Sequence, residues 1–418
     1  KIEMNIRSIT LGIDWKDRNK SHLTEYVSEF MEISKKRYKD KGYSVRTTRL
    51  SMSALNEYSQ FSYSSSRSII DWVSNLCEEV GIRWLCVPFS FMNTDNPKEL
   101  TRVAAEIINR NSNTFVNMIV ARNGIISDSG VKEAANLIQK VSKISNNGFD
   151  NFRVGVSSNC EPHTPYFPFS YHEGKDGFSL ALEIVDELLL IAEKNIGKDL
   201  EVIRFNMLEY LMMNIVEIDE IGKEIEKQTD VKYHGLDASL APFPNGHTSV
   251  AKLVETLGVE DFGSNGSLFI TSFLTNIIKT SLEKSKVRHV GFNGVMYSLL
   301  EDDFMALRNR QKNFTLDSLM LFSSVCGCGI DMVPIPGDTL CEEISGMIYD
   351  ISALSSTLNK PLGVRVLPIN GKSSNELSNF NYDFLVDTRV ISVRNRTFSP
   401  NFNESSQFSY LKNKKTRL

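Results

Sequence analysis

Two short, turn-rich stretches of this 418-residue chain concentrate the side chains that could carry out chemistry. The first, residues 325–339, reads VCGCGIDMVPIPGDT and contains Asp331, a candidate ligand-binding residue. Its Cys326 and Cys328 form C-x-C, whereas tetrahedral zinc usually takes C-x-x-C and two further ligands, so we expect no metal here. Cys326 is a candidate nucleophile if a neighbouring cation or helix N-terminus lowers its pKa. The alternative is that both cysteines are small buried residues in a tight turn.

The second stretch, residues 235–249 (GLDASLAPFPNGHTS), lies where a strand pattern ends and a helix pattern begins. Asp237 and Ser239 are two residues apart, so in a strand they point to the same face, where a carboxylate and a hydroxyl could share a pocket. Ser249 can cap the following helix, whose free N–H groups and positive dipole end form an anion site. The alternative is a buried aspartate bonded to the backbone, followed by an ordinary helix cap.

A stiff aromatic loop and one isolated arginine add further candidates. Residues 159–172 (NCEPHTPYFPFSYH) hold three prolines, which restrict the backbone, and four aromatic side chains. Such a loop either lines a ligand pocket, with Asn159 and His172 as its polar candidates, or packs on the core as an ordered connection. Arg365 stands in an otherwise apolar strand pattern, where it needs a carboxylate partner or an anionic ligand.

The composition argues against several classes of function. The chain is 41% hydrophobic and 23% charged, as in ordinary globular proteins. A net charge of −4 argues against a nucleic-acid surface, and no segment approaches the roughly 20 apolar residues of a membrane span. Six cysteines are too few for a disulfide scaffold, which favours a reducing cytoplasm. The sequence also lacks the motifs of Rossmann dehydrogenases, P-loop NTPases, zinc peptidases and serine hydrolases.

Alternating strand and helix patterns must position these side chains. About nine strand patterns alternate with helical patterns, which predicts parallel strands covered by helices. Residues 178–194 are predicted as one helical stretch, and residues 287–292 as a strand. The even alternation favours a closed α/β barrel over an open sheet, with functional residues just beyond the C-terminal ends of the strands.

Six motifs occur in order along the chain. They are RSITLGID (residues 7–14), NCEPHTPYFP (159–168), GLDASLAPFP (235–244), GFNGVM (291–296), GCGIDMVPIPGDT (327–339) and LNKPLGVRVLPINGK (358–372). Together they resemble the domain of unknown function 711 family, also called uncharacterised protein family 0210, and the resemblance covers about residues 5–395.

This resemblance implies a pyruvate formate-lyase-like α/β barrel of about ten strands, with helices outside and a loop inside, and it implies no known activity. Glycyl-radical enzymes carry RVxGY near the C-terminus. The nearest string here, RVLPING starting at Arg365, departs from that motif, so radical chemistry is not expected. We therefore predict a single α/β barrel domain over residues 1–395, followed by a tail over residues 396–418.

The functional hypothesis is an enzyme that acts on a small anionic metabolite inside the barrel. Its predicted catalytic residues are Asp237 as acid or base, Cys326 as nucleophile or pocket wall, and His172. The residues predicted to contact the ligand in the same cavity are Asn159, Ser239, Ser249, Asp331 and Arg365. The alternatives are a non-catalytic small-molecule sensor and a self-assembling structural protein. We assign no cofactor, and we expect a cytoplasmic homo-oligomer that binds neither nucleic acid nor membrane.

Overall fold

The computed structural model describes residues 4–15, 19–57, 62–394, 398, 400 and 406–410. Within these residues, eleven strands belong to one sheet. In chain order the strands are β1 (Asn5–Ile13), β2 (Val45–Met52), β3 (Trp84–Ser90), β4 (Thr114–Arg122), β5 (Ile125–Ser127), β6 (Val154–Ser158), β7 (Gly177–Glu183), β8 (Lys232–Asp237), β9 (Gly329–Pro336), β10 (Leu362–Ile369) and β11 (Gln407–Ser409).

Helices separate most of these strands in the chain. They are α1 (Lys20–Asp40), α2 (Tyr63–Val80), α3 (Pro97–Arg110), α4 (Asp128–Ser142), α5 (Val185–Lys194), α6 (Leu200–Thr229), α7 (Val250–Thr256), α8 (Ser267–Ser285), α9 (Asp303–Arg310), α10 (Leu316–Phe322) and α11 (Cys341–Leu358). Several begin where a polar side chain accepts hydrogen bonds from N–H groups of the first turn, as Asn19, Asn96 and Ser127 do. In the described part of the chain, no helix has both the length and the apolar character needed to cross a membrane.

The sheet is mostly parallel, and its hydrogen-bonded strands follow the order β8-β7-β1-β2-β3-β4-β6-β10-β9. Five neighbouring strands, β1, β2, β3, β4 and β6, run in one direction. The pairs β7–β8 and β9–β10 are each parallel but run the other way, because β7 pairs antiparallel with β1 and β10 pairs antiparallel with β6. The expectation of uniformly parallel strands is therefore wrong at these two junctions.

The mixed α/β architecture is confirmed, whereas a closed barrel is not. The ladder of paired strands is open, with β8 and β9 at its two ends. The segment 289–298, part of which is predicted as a strand, forms only isolated bridges with these ends. Two bridges, Leu236–His289 and Leu240–Val295, join it to β8 and the residues that follow, and a third, Ser298–Asp331, joins it to β9.

Residues 178–194 are not the single helical stretch that their composition predicts. Residues 177–183 form β7, and α5 begins only at Val185. All seven residues of β7 are buried, so leucine and alanine, which favour helices, occupy strand positions inside the core. Phe178 packs against Phe30 and Tyr233, with ring centroids 5.1 Å apart in both cases. Tertiary packing on both faces thus outweighs the local helix propensity.

Apolar side chains form cores on both faces of the sheet. Within β7, Leu180 and Leu182 pack in the large core shared with the helices, whereas Ala181 belongs to a smaller cluster on the opposite face. The aromatic loop, residues 159–172, contributes Tyr166 and Phe169 to this second cluster. The loop therefore covers the sheet face opposite the helices, and Tyr166 and Phe169 also line the cavity described below.

Candidate functional site

The candidate site is a cavity of about 330 Å³ on the side of the sheet that the aromatic loop covers. We call it the arginine cavity, because five arginines are among the residues that line it: Arg7, Arg46, Arg49, Arg83 and Arg365. Aromatic side chains form much of the remaining wall, namely Trp84, Phe115, Phe152, Tyr166, Phe167, Phe169, Phe243 and Phe384.

This cavity lies where β1 to β4 begin, since Arg7, Arg46, Trp84 and Phe115 are near the N-terminal ends of those strands. Functional residues are predicted beyond the C-terminal ends of strands, and these four cavity residues lie at the opposite ends. Residues 241–244, which follow β8, also line the cavity. The antiparallel pairing of β1 with β7 is the reason, since it brings the starts of one set of strands beside the ends of the other.

Asp331 and Arg365 face each other across the wall of the cavity. They stand opposite each other on β9 and β10, and the guanidinium donates to both carboxylate oxygens, with Nε–Oδ1 at 2.6 Å and Nη2–Oδ2 at 2.8 Å. Arg365 also donates to the Phe152 carbonyl at 3.1 Å and lies 3.4 Å from Glu301. Burial raises the pKa of Asp331. The predicted need of Arg365 for a carboxylate partner or an anionic ligand is thus met by Asp331.

Two other arginines of the cavity lack such a partner. Arg7 donates to the carbonyl of Pro242 at 3.0 Å, and Arg49 donates to Thr47 Oγ1 at 3.3 Å. The Arg49 guanidinium also stands 5.2 Å from the centre of the Phe167 ring. Among the described residues, no carboxylate lies within 4.0 Å of either guanidinium. Burial, followed by the charge of Arg7, lowers the pKa of Arg49 to about 10, and the opposing effects of Tyr166 and Glu301 are smaller.

Arg46 lies on β2, as Arg49 does, but a carboxylate neutralises its charge. It donates to both carboxylate oxygens of Glu183 at 2.8 and 2.5 Å, and it stands 4.1 Å from the centre of the Phe243 ring. Because Arg46 has a carboxylate partner and Arg49 has none within 4.0 Å among the described residues, positive charge is concentrated at the part of the cavity wall that Arg49 forms.

The aromatic loop lines the cavity with rings and not with its predicted polar residues. Asn159 accepts a hydrogen bond from the Gly124 amide at 2.9 Å and donates to Ser355 and Ser356 at 2.9 and 3.1 Å, which ties the loop to α11. The buried ring of His172 lies 3.0 Å from the Gly174 carbonyl through Nε2. Neither residue borders the arginine cavity.

Asp237 is fully buried and serves as a junction between β8 and the segment 289–298. Its oxygens accept hydrogen bonds from the amides of Ser239, Phe292 and Asn293 at 2.9, 2.7 and 3.1 Å, and from the Ser239 hydroxyl at 2.5 Å. Burial raises the pKa of Asp237 to about 6, against the opposing effect of these donors. Asp237 and Ser239 do share a face, but they lie outside the cavity lining.

Ser249 caps α7 as predicted, and the anion at this helix N-terminus is a side chain of the protein itself. Ser249 Oγ accepts from the Lys252 amide at 3.0 Å and donates to Asp302 at 2.5 Å. Asp302 also accepts from the amides of Val250 and Ala251 at 2.8 and 3.1 Å. The expected position for an anionic ligand is therefore occupied by an internal carboxylate.

Cys326 and Cys328 are both buried, and the Cys328 sulfur lies 4.0 Å from the Gly329 carbonyl. Cys328 lines the cavity, whereas Cys326 does not. The ammonium of Lys360 donates to the carbonyls of Ser323, at 3.0 Å, and of Cys326. The neighbouring Cys328 thiol and the charge of Lys360 lower the pKa of Cys326, whereas Cys326 and burial raise the pKa of Cys328. Within the described ranges, no group of three or more His, Cys, Asp and Glu side chains is placed to hold a metal ion.

Of the eight residues predicted to meet in one cavity, the structure brings only Asp331 and Arg365 to its wall. The chemical roles predicted for Asp237, Cys326 and His172 stay predictions. Arg7, Arg49 and Cys328 are cavity residues that the sequence analysis missed. An arginine within a strand pattern was the signal that singled out Arg365, and the same signal is present in RSITLGID at Arg7 and in RTTRL at Arg49.

A family model described as "Uncharacterised ACR (DUF711)" matches residues 1–382. The chain belongs to the DUF711 family. This match confirms the family that the six motifs indicate. Relatives of this DUF711 protein are named UPF0210 proteins, and the name states no activity. The relative from Pyrobaculum aerophilum is 29% identical over 280 residues, which are 64% of this chain and 59% of that protein.

Two other relatives match over more of their length. The UPF0210 protein of Methanopyrus kandleri is 24% identical over 403 residues, covering 88% of this chain and 87% of the relative. That of Clostridium acetobutylicum is 24% identical over 395 residues, covering 88% and 86%. The similarity to these two therefore extends over most of this chain.

Proposed function

We propose that this DUF711 protein is an enzyme that binds a small anionic metabolite in the arginine cavity. The observation that carries the proposal is the pair Arg7 and Arg49, whose guanidiniums face one cavity with no carboxylate within 4.0 Å among the described residues. A partly buried cation without a counter-ion is costly, and a bound anion removes that cost.

The chemistry of the wall suggests the class of ligand. A guanidinium presents a planar set of donors that matches a carboxylate or a phosphate. Aromatic side chains around Arg49, such as Phe167, reduce the water in the cavity and so strengthen the attraction between opposite charges. A volume of about 330 Å³ suits a metabolite-sized molecule. Glu301 and Asp331 also line the wall, so a ligand with one anionic end and hydrogen-bond donors elsewhere fits better than one charged throughout.

In this proposal Asp331 and Arg365 contact the ligand, and Cys326 is a catalytic residue that lies two positions before Cys328, which lines the cavity. The other predicted residues do not contact the ligand in this proposal, and they hold the surrounding segments in position. Asp237 with Ser239 holds the segment 289–298, Ser249 holds α7, and Asn159 and His172 anchor the aromatic loop. A sensor would use the same arginines, but it would release the bound molecule unchanged.

We also propose that the sheet works as a barrel of ten strands, of the pyruvate formate-lyase type. The segment 289–298 would be the tenth strand, and its bridges to Leu236, Leu240 and Asp331 support this by linking it to both ends of the open ladder. A cytoplasmic location and a homo-oligomeric state stay predictions.

The test is a binding measurement with matched arginine variants. Wild-type protein, Arg49→Gln and Arg102→Gln would be titrated with small carboxylates and with inorganic phosphate at constant ionic strength, and the melting temperature recorded. Arg102 is a suitable control because it lies on α3 beside Glu99, outside the cavity, and its replacement removes the same charge.

We expect a saturable rise in melting temperature for the wild type and for Arg102→Gln, since binding to the native state stabilises it by RT ln(1 + [L]/Kd). The Arg49→Gln variant should lose this rise. Equal behaviour of all three proteins would show that the anions act on the surface in general. Incubation of the ligand that binds, followed by mass spectrometry of the small molecules, then separates an enzyme from a sensor.

A further inference from the structure

A second cavity, of about 210 Å³, is lined by residues of β11 and α11 together with neighbouring segments. We call it the aromatic cavity, because four aromatic side chains line it: Tyr349, Phe398, Phe408 and Tyr410. Among the described residues of its wall, the charged ones are Asp128 and Asp350. None of these six residues borders the arginine cavity, so the two cavities are separate sites.

Backbone pairing at the edge of the sheet places two of the rings side by side. β11 pairs antiparallel with β5, and two further bonds extend the pairing: the Asp128 amide donates to the Ser406 carbonyl at 3.1 Å, and the Tyr410 amide donates to the Gly124 carbonyl at 2.8 Å. Phe408 and Tyr410 are two residues apart in this extended segment, which places them on the same face. Their ring centroids are 5.1 Å apart, and their planes meet at 71°.

The other two rings form a second pair of the same kind. The centroids of Tyr349, on α11, and Phe398 are 5.3 Å apart, and their planes meet at 69°. Rings set at such angles enclose a cavity from several directions. Phe398 and Phe408 are 47% and 49% exposed, so these two large rings border the cavity without being buried in a core. Exposed apolar surface that is grouped in this way marks a site of binding.

The two carboxylates of the wall differ in their partners. Asp128 is buried, and it accepts hydrogen bonds from the Tyr349 hydroxyl and from the Lys132 ammonium, the latter at 2.8 Å. Asp350 is exposed, and among the described residues no Lys, Arg or His nitrogen lies within 4.0 Å of its carboxylate. Because Lys132 balances the charge of Asp128, the wall keeps one uncompensated negative charge. A ligand with a single positive charge would balance it.

We propose that the aromatic cavity binds a small quaternary ammonium ion, with the aromatic rings around its methyl groups and Asp350 as its counter-ion. Aromatic rings attract a cation to their faces, and several rings around one cation are the usual means of recognising quaternary ammonium groups. This inference goes beyond the proposed function, since it concerns a second site and a ligand of opposite charge.

The polar groups of the wall explain why a quaternary ion fits better than a primary one. A primary ammonium has three N–H donors, which need acceptors once they leave water. Both oxygens of Asp128 already accept hydrogen bonds, so Asp350 is the carboxylate that remains for them. A quaternary ammonium has no N–H group, and its methyl groups suit an apolar wall. The volume of about 210 Å³ is below that of pockets for drug-sized ligands, which favours a compact ion.

Choline and its uncharged analogue 3,3-dimethylbutan-1-ol, in which carbon replaces the nitrogen, test the inference on the intact protein. Saturation-transfer difference NMR of their methyl protons would be recorded as a titration at constant ionic strength. Asp350→Asn removes the charge with little change of shape, and Phe408→Leu removes a ring but keeps an apolar side chain. The matched controls are Asp40→Asn and Phe269→Leu, since both residues are exposed and line neither cavity.

We expect saturable binding of choline to the wild type and to both controls, and no saturable binding of the uncharged analogue. The affinity for choline should fall by about tenfold in Asp350→Asn and in Phe408→Leu, because each loses one of the two attractions for the cation. The melting temperature checks that Phe408→Leu is folded. If it is not, Asp350→Asn decides alone, since Asp350 is exposed and its replacement leaves the packing unchanged.

Three results would overturn the proposal. Equal affinity for choline and for the uncharged analogue would show that the cavity selects an apolar shape and not a charge. Unchanged affinity for choline in a folded Asp350→Asn protein would show that the ion binds elsewhere. A wild-type protein without saturable choline binding would refute the quaternary ammonium site directly.

Discussion

Removing Asp331 should destabilise the protein strongly, because its carboxylate is the main partner of a buried guanidinium. The side chains of Arg365 and Asp331 are 6% and 8% exposed, so water does little to screen their interaction. Asp331→Ala deletes the two hydrogen bonds of 2.6 and 2.8 Å and leaves Arg365 with the Phe152 carbonyl and the longer contact to Glu301. Breaking a buried pair from one side costs about 3–5 kcal/mol of unfolding free energy.

Thermal and urea unfolding, followed by circular dichroism, measure this loss. The double variant Asp331→Leu/Arg365→Met removes both charges and should recover much of the stability, since the penalty comes from the uncompensated charge. Asp317→Ala is a matched control, because its partner Arg394 is exposed and their contact of 2.6 Å is open to solvent. An Asp331→Ala protein that unfolds like the wild type, or a double variant no more stable than the single one, would refute this reasoning.

Three further outcomes follow from the buried polar groups. Asp302→Ala should lower the melting temperature more than Ser249→Ala, whose cost is about 1 kcal/mol, because Asp302 also accepts bonds from helix amides of α7 and α9. Burial lowers the pKa of His163 to about 3 and that of His234 to about 4, from the ordinary 6.5. The stability that the two neutral histidines contribute is therefore complete above pH 6.5 and is lost as the pH falls toward 4 and then 3. Denaturation midpoints recorded from pH 7 to 4 should show this loss, and replacing both histidines with glutamine should flatten it. Asp237→Asn should lower the melting temperature by several degrees while leaving anion binding intact. The reason is that the asparagine side chain cannot accept hydrogen bonds from all the backbone amides that donate to the Asp237 carboxylate. Loss of anion binding in a folded variant would contradict this structural role.

Much of the local structure could be predicted from the residues. Helical patterns over residues 22–41, 128–145 and 340–358 predict α1, α4 and α11 within a few residues of their observed ends. The same reasoning fails at β7, because leucine and alanine carry no local signal that distinguishes a fully buried strand from a helix. Only the pairing with β1 on one side and β8 on the other decides that residues 177–183 are extended.

The candidate site divides in the same way. The sequence by itself determined that Arg365 requires a buried partner and that Ser249 caps a helix, because these follow from the chemistry of one residue and its immediate neighbours. The identity of the partners was decided by tertiary structure: Asp331 meets Arg365 through the register of two strands, and Asp302 reaches Ser249 from 53 residues away. Arg49 and Cys328 likewise line one cavity only because of the order of the strands in the sheet. Hydrogen bonds between segments far apart in the chain determine this strand order, and local sequence patterns do not.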